Sequence, residues 1–534
     1  MRTQYRRSVG AFAAGALVAS LAVGAPAGAS AAPSEACVVA GRGGSSAPAV
    51  PQKPSAFRTI ITSDGEIDDL ASFHRLLMYS NDLADSLIGI VYTSSHAHWA
   101  GDPTADPPIP PESWAGTHVY QDAIAGGGEV YGTQGGYAAA YKNLVRHDRR
   151  YPTPQHLLGL IKTGNITTHG EMDKDTEGSE LIKRALLDDD PRPIWLQVWG
   201  GTNTVSAALR SIEDEYRGTP QWNAVYKKVV RKARVYIVFD QDPTYKQYIR
   251  PNWPDLKVTM NRDQFLSIAY RAFRTGSNFG GARTPSDLDA YFGADFMSNI
   301  KYGPILASYP VDRSGAASNG EGDSPSYWHL LPNGLRSTED PSFGGWGGRF
   351  DQNSPYTWTD WPDYMEDSQW YLPFDSDPPF RDWDASSRTS DATPYGPRSY
   401  ELGYPQARWI PALQNEFAAR AQWQTRDYED ANHPPVVAVS QKNLNRTAVP
   451  GQVLRLTGTA SDPDGDALRC RWWQYAEAGT YDGDVTVTGA HSLKASVRIP
   501  HDARAGDTIH LILEVTDDGE FPITRYQRVI ITVR

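Results

Sequence analysis

Hydrophobic and polar positions along this chain change their period twice. Arg58-Thr59-Ile60-Ile61-Thr62 is short and β-branched, which predicts a strand. Directly after it, Leu70, Phe73, Leu76 and Leu77 recur at three- and four-residue spacing, which predicts a helix from about Asp68 to Tyr79 with one buried face. Three further apolar runs predict buried strands: Leu87-Ile88-Gly89-Ile90-Val91-Tyr92, Pro193-Ile194-Trp195-Leu196-Gln197-Val198-Trp199 and Arg234-Val235-Tyr236-Ile237-Val238-Phe239. Helical patterns lie between them at 176–187 and 205–216. Strands alternating with helices predict an α/β domain, with an open, mostly parallel sheet and helices on both faces.

Beyond this region the pattern fades. Residues 302–426 are rich in Trp, Tyr, Pro, Gly and Asp and show little periodicity; Trp346, Trp358, Trp361, Trp370, Trp383 and Trp409 lie there. Such aromatic content argues against disorder and predicts ordered loops over the functional edge of the sheet. After Asn432-His433-Pro434-Pro435, short alternating runs such as Val453-Leu454-Arg455-Leu456 are separated by Asp464-Gly465, Asp482-Gly483 and Asp518-Gly519. That pattern predicts a small all-β, immunoglobulin-like sandwich over 435–534. The α/β domain with its aromatic segment then occupies 55–431, and 32–54 reads as a flexible leader rich in Ala, Gly, Ser and Pro.

The N-terminus adds a compartment. Arg2, Arg6 and Arg7 precede an apolar stretch that ends at Ala29-Ser30-Ala31, which predicts a signal peptide over 1–31 and a secreted, extracellular protein without a membrane span. The net charge of −12 and the lack of a long basic run exclude a nucleic-acid binder held by phosphate contacts. The two cysteines, Cys37 and Cys470, could pair in an oxidising compartment or stay separate; spacing leaves both open.

The chemistry concentrates at strand ends. Asp64, Asp68 and Asp69 sit within six residues at the first strand–helix junction. In open α/β sheets ligands bind just outside the carboxyl ends of the strands. One acid there caps a helix, but three exceed what capping needs and predict a hard cation among carboxylate oxygens. The second strand ends in Thr93-Ser94-Ser95-His96-Ala97-His98, where hydroxyls and imidazoles suit sugar recognition, and His96 or His98 could protonate a leaving group. The third ends in Trp199-Gly200-Gly201-Thr202-Asn203: either a helix cap at Thr202 or Asn203, or a close backbone approach whose carbonyl binds metal, or both. Gln241, Asp242 and Asn252 follow as weaker candidates for hydroxyl contacts, and Thr176 is expected to cap its helix. Glu321-Gly322-Asp323-Ser324 presents further acids at a predicted helix start.

Asp64-Gly65-Glu66-Ile67-Asp68-Asp69 resembles the calcium motif Asp-Pro-Gly-x-Asp-Asp of nucleoside hydrolases, and Trp199-Gly200-Gly201-Thr202-Asn203 resembles their Gly-Pro-Leu-Thr-Asn turn. The chain as a whole is more similar to secreted bacterial nucleoside hydrolase-like cellulose-binding proteins. That wider likeness rests on Thr176-Glu177-Gly178-Ser179, Trp199-Gly200-Gly201, Glu321-Gly322-Asp323-Ser324-Pro325-Ser326 and Gly344-Gly345-Trp346-Gly347-Gly348-Arg349. The resemblance implies a nucleoside hydrolase-like fold followed by the sandwich. It implies calcium held by Asp64, Asp69, Asp323 and a carbonyl at Thr202 or Asn203, with Asp64 as base toward water and Asp68 on a sugar hydroxyl. The chain departs from the family pattern in several places: Thr62 stands where the family has Asp, Gly65 where it has Pro, and Gly322 where it has His before the late Asp; the Leu-Thr-Asn run is altered, and Ser95 and His96 stand near where an Asn is expected after the second strand.

Two functions follow as expectations. The first is a calcium-dependent hydrolase of N- or O-glycosidic bonds, acting by water attack on an anomeric carbon of a glycan-derived sugar or nucleoside-like compound. Asp64 and Asp68 would be catalytic, with His96, His98, Gln241, Asp242, Asn252 and Glu321 around the substrate. The alternative is a non-catalytic carbohydrate- or cellulose-binding protein on the same scaffold, holding a polysaccharide surface. For that reading Trp472-Trp473 and Tyr475 are a candidate strip, against the commoner role of a sandwich-core Trp. Asp462-Pro463-Asp464-Gly465-Asp466 is read first as an Asp-Gly turn and second as a structural calcium loop.

Overall fold

A computed structural model describes residues 55–127, 135–275, 283–317, 320–351, 381–382 and 398–534. The predicted signal peptide and leader, Cys37, and Trp358, Trp361, Trp370 and Trp383 lie outside the described residues.

Six parallel strands form the first sheet: β1 (Arg58–Ser63), β2 (Leu87–Tyr92), β3 (Ile161–Thr163), β4 (Ile194–Val198), β5 (Ala233–Val238) and β6 (Lys257–Asn261), in the order β3-β2-β1-β4-β5-β6. Side chains on a strand alternate between faces, so β1 feeds two layers. Ile61 enters the core packed by the helix Ile67–Tyr79, and Ile60 enters the core packed by the helices Glu177–Leu187 and Asn203–Tyr216. This double burial explains why the strands read as nearly continuous apolar runs. β3 has three residues and β6 reads Lys-Val-Thr-Met-Asn, so neither stood out by pattern.

The strand order reverses at β1, whose register partners on the two sides are β2 and β4. This is the topological switch point, where diverging loops open a crevice at the carboxyl edge.

The described part of the aromatic-rich region includes regular structure. Ile410–Gln422 is a helix of 13 residues that packs Leu413 and Phe417 into the core containing Ile61. Its polar residues are committed as well: Arg420 pairs with Asp82 at 2.5 Å, and Glu416 pairs with Arg525 of the last strand at 2.6 Å.

A two-residue pair, β7 (Phe350–Asp351) with β8 (Arg381–Asp382), precedes the second domain. There β9 (Val436–Val439), β10 (Asn445–Ala448), β11 (Val453–Ser461), β12 (Arg469–Gln474), β13 (Val487–Thr488), β14 (Lys494–Arg498), β15 (Thr508–Thr516) and β16 (Thr524–Val533) build two sheets, β10-β16-β15-β12 and β13-β14-β11-β9. β11 alternates exposed and buried over its whole length, as its sequence predicts. Trp472 fills the sandwich core, and Tyr475 is buried against Trp409 at a ring separation of 6.0 Å. Trp473, half-buried, also packs on Trp409, so Trp472 and Tyr475 take the commoner core role and Trp473 stays partly open. Cys470 is buried in β12 and disulfide-bonded. Among the described residues no helix is long and apolar enough to cross a membrane.

Candidate functional site

Ser63 ends β1, and Asp64, Gly65 and Glu66 form the turn into the helix that carries Asp68 and Asp69 in its first turn. Gly65 has φ of +77°, and a β-carbon there would stand 2.7 Å from the Tyr92 hydroxyl. Glycine alone meets both demands, which accounts for its place where the motif has proline. The loop after β4 comes in from the other side of the switch point. Gly200 lies against Asp64, where a β-carbon would sit 2.9 Å from Asp64 Cβ. A third segment adds Gly322, packed on the Asp68 carboxylate, and Asp323, which precedes the short helix Ser324–Trp328 without capping it through its side chain.

These segments converge. Asp68, Asp69 and Asp323 each offer a carboxylate oxygen within 4.8 Å of the others, and Asp64 groups in the same way with Glu66 and His98. Asp64, Asp69 and Asp323 are only 0%, 1% and 2% exposed. Asp69 accepts a short hydrogen bond from the Ser63 hydroxyl, which also meets Tyr120. Asp64 Oδ2 and Asp323 Oδ2 are buried with no hydrogen-bond partner.

Burial is the first cause that pushes Asp68, Asp69 and Asp323 well above the usual carboxylate range; neighbouring acids add to it, Glu66 on Asp68, Asp323 on Asp69 and Asp68 on Asp323. Glu66 is raised too, by burial and then by Asp64. Buried acids with unpaired oxygens at this density fit a hard divalent cation, which takes oxygen ligands and offsets the repulsion. Asp68, Asp69 and Asp323 could hold it, with Asp64 in the neighbouring group.

The remaining expected residues divide into two sets. His98 lies over the cluster, with Nδ1 3.7 Å from Asp64 Oδ2. His96 is half-buried nearby; its backbone N–H donates to the Gln241 carbonyl at 2.9 Å, and its ring packs on His169 at 5.1 Å. Gln241 spends its amide on the Trp199 carbonyl at 2.6 Å.

The others hold the scaffold. Asp242 caps the helix Asn203–Tyr216 from outside: it accepts the Asn203 N–H at 2.9 Å and the Thr202 hydroxyl at 3.0 Å. Thr202 and Asn203, expected to offer a carbonyl ligand, stand at the start of this helix. The Thr202 carbonyl accepts the Ser206 N–H at 2.9 Å and so starts the helix ladder, while the Asn203 amide serves Ser94, Asn165 and Glu171. Glu321 is bound by Arg75 at 3.1 Å, Tyr309 at 2.5 Å and Ser324 at 2.9 Å, which makes it a buried anchor and not a substrate contact. Asn252 precedes β6 instead of following a strand; it donates to the Tyr248 carbonyl at 2.9 Å, away from the carboxyl edge. Thr176 caps its helix with a full capping box, as expected.

Tyr270 is the residue that sequence reasoning missed. Its hydroxyl lies 2.8 Å from Glu66 Oε1 and 3.0 Å from Asp68 Oδ1, so one phenol spans both acids. It follows β6, whose weak pattern hid the strand end that delivers it.

A comparison with curated proteins returned no match. The family described as "Cellulose-binding Sde182, nucleoside hydrolase-like domain" matches residues 58–350, more than half of the chain. The chain belongs to this family of nucleoside hydrolase-like, cellulose-binding proteins. "Cellulose-binding protein Sde0182, C-terminal domain" matches 453–533, within the sandwich. Among solved structures, a nucleoside hydrolase-related hypothetical protein from Saccharophagus degradans, described as associated with carbohydrate metabolism, is 27% identical. The match covers 90% of this chain and 100% of that one, with a TM-score of 0.65. The effector protein XOO4466 (11% identity, 67% of this chain and 95% of that one, TM-score 0.27) and the endo-fucoidan hydrolase MfFcnA9 of glycoside hydrolase family 107 (11%, 90% and 80%, TM-score 0.17) are too distant to carry an argument.

Proposed function

We propose that this chain is a secreted, calcium-dependent hydrolase of N- or O-glycosidic bonds, and that its substrate is a glycan-derived sugar or nucleoside-like compound. The observation that carries this reading is the pair of unpartnered, buried oxygens on Asp64 and Asp323 beside Asp69 at the switch point. Calcium bound there would lower the pKa of a coordinated water and neutralise charge. Asp64, Asp69 and Asp323 would hold the ion. Asp64 would take the water's proton, and Asp68, fixed by Tyr270, would accept a hydrogen bond from a sugar hydroxyl. His98, whose ring lies 3.7 Å from Asp64, would protonate the leaving group. A carbohydrate ligand is supported by the family's cellulose-binding description and by the carbohydrate association of the Saccharophagus protein.

A second reading keeps the ligand and drops the chemistry: a binding protein that holds polysaccharide on a silent hydrolase scaffold. The near-complete burial of the acids favours it. A hydrolysis screen over nucleosides and plant and microbial oligosaccharides, with calcium and with chelator, separates the two. Turnover that needs calcium and disappears in Asp64→Asn supports the hydrolase. Cellulose binding without turnover on any substrate rejects it in favour of the binder.

A further inference from the structure

A second group of acids lies where the chain passes from the linker into the sandwich. Asp462-Pro463-Asp464-Gly465-Asp466 follows β11, and its turn is fully accounted for by one oxygen. Asp462 Oδ1 accepts the N–H groups of Asp464, Gly465 and Asp466 at 2.9, 3.0 and 3.2 Å. The other oxygen, Oδ2, has no hydrogen-bond partner, although Asp462 is only 3% exposed.

Two more orphaned oxygens belong to this region. Asp517, in the turn between β15 and β16, is 0% exposed; its Oδ1 accepts from Asn432 Nδ2 at 3.0 Å and from the Ile523 N–H at 3.0 Å, but its Oδ2 has no partner. Asn432, in the linker, gives its amide N–H groups to Asp517 and to the Phe521 carbonyl, and its Oδ1 has no partner. Three distant parts of the chain thus each bring a buried acceptor that nothing satisfies. A single such group costs about 1–3 kcal/mol, and more when charged.

Asp462 has two further acids beside it. Asp462, Asp464 and Asp466 offer oxygens within 4.8 Å of one another. His433 steadies Asp464 from behind, with its N–H on Oδ2 at 2.6 Å and its ring Nδ1 2.9 Å from Oδ1. Burial, and then neighbouring acids, push Asp462 up to about 6; burial raises Asp517 to about 7, and the charge of Asp462 adds to it.

We propose that Asn432, Asp462, Asp464, Asp466 and Asp517 form a structural calcium site that clamps the interdomain linker to the sandwich. The donor set is all oxygen, with four carboxylates and one amide carbonyl. Calcium accepts six to eight such ligands in flexible geometry, whereas zinc favours nitrogen and sulfur and magnesium demands a near-ideal octahedron. A turn alone explains Asp462 Oδ1; the cation explains the oxygens left over. The ion would fix the direction in which Asn432-His433-Pro434 leaves the helix-bearing domain, so its loss would loosen the sandwich and leave the carboxylates after β1 untouched.

The test uses the full-length, metal-free protein and calcium alone, followed by isothermal titration and by differential scanning calorimetry. The double variant Asp64→Asn/Asp323→Asn isolates the linker site. Calcium should still bind this variant and raise the melting temperature of its sandwich. Adding Asp462→Asn should remove that binding and that shift. Asp466→Asn, which leaves the turn hydrogen bonds of Asp462 in place, should weaken binding by about tenfold or more, and it carries the test if Asp462→Asn does not fold. A double variant that binds no calcium, or one whose affinity Asp466→Asn leaves unchanged, overturns the proposal.

Discussion

Gly200 and Asp64 meet backbone to side chain across the switch point, with room for hydrogen only: a β-carbon on Gly200 would lie 2.9 Å from Asp64 Cβ and 3.1 Å from Cγ. Two strand ends separated by more than a hundred residues close on each other here. Gly200→Ala should displace Asp64 and cost about 1–3 kcal/mol through overpacking. Denaturant unfolding should show the loss, and calcium titration should show weaker binding. A variant with wild-type values in both would mean that the loop yields freely.

The acid cluster should make the metal-free protein sensitive to pH. Asp69 and Asp323 are held well above the 3.8 of an ordinary Asp, by burial and by each other's neighbours. The folded state therefore binds these protons more tightly than the unfolded state. Stability is lost as pH rises above about 4, where the unfolded chain ionises first. Asp323→Asn removes one such group. Without calcium its melting temperature should exceed that of wild type by a margin that widens from pH 4 to 7. With calcium the order should reverse. Melting curves across that range check both signs; a margin that narrows as pH rises would contradict the electrostatic account.

Tyr270→Phe removes the hydroxyl shared by Glu66 and Asp68. Two half-buried or buried acids then lose their donor, at a cost of about 1–3 kcal/mol. If Asp68 touches a sugar hydroxyl, the variant should raise KM more than it lowers kcat, because the lost interaction positions the substrate. Steady-state kinetics on any substrate from the screen would read the split.

Glu321 offers a test of anchor against ligand contact. Its pairing with Arg75 is fully buried. Glu321→Ala should cost about 3–5 kcal/mol by leaving the guanidinium uncompensated. Urea unfolding measures it. A variant of normal stability with altered substrate affinity would return Glu321 to the binding site.

Period and composition were enough to show an α/β domain followed by a β-sandwich, because each element buries a face that its own spacing declares. Asp64, Asp68 and Asp69 were legible because their crowding exceeds what capping requires. The segments 161–163 and 257–261 were not, since three residues carry no period and Lys-Val-Thr-Met-Asn resembles a loop. The helix Ile410–Gln422 was hidden for a related reason: it is buried nearly all round, so no polar face marks it.

Side-chain roles divided on a different principle. A local pattern places a residue at a strand end, but partners from other segments decide what it does there. Asp242 and Glu321 are acids in the right kind of loop, and the helix start at Asn203 and the guanidinium of Arg75 claim them. Asp64 and Asp323 are acids in similar loops, and no donor reaches one oxygen of each. By itself the sequence determined the layers, the strand edge and the acids of its first turn. Only the tertiary structure decided which carboxylates are satisfied and which remain open to a cation, because hydrogen-bond partners hundreds of residues apart meet only when the chain is folded.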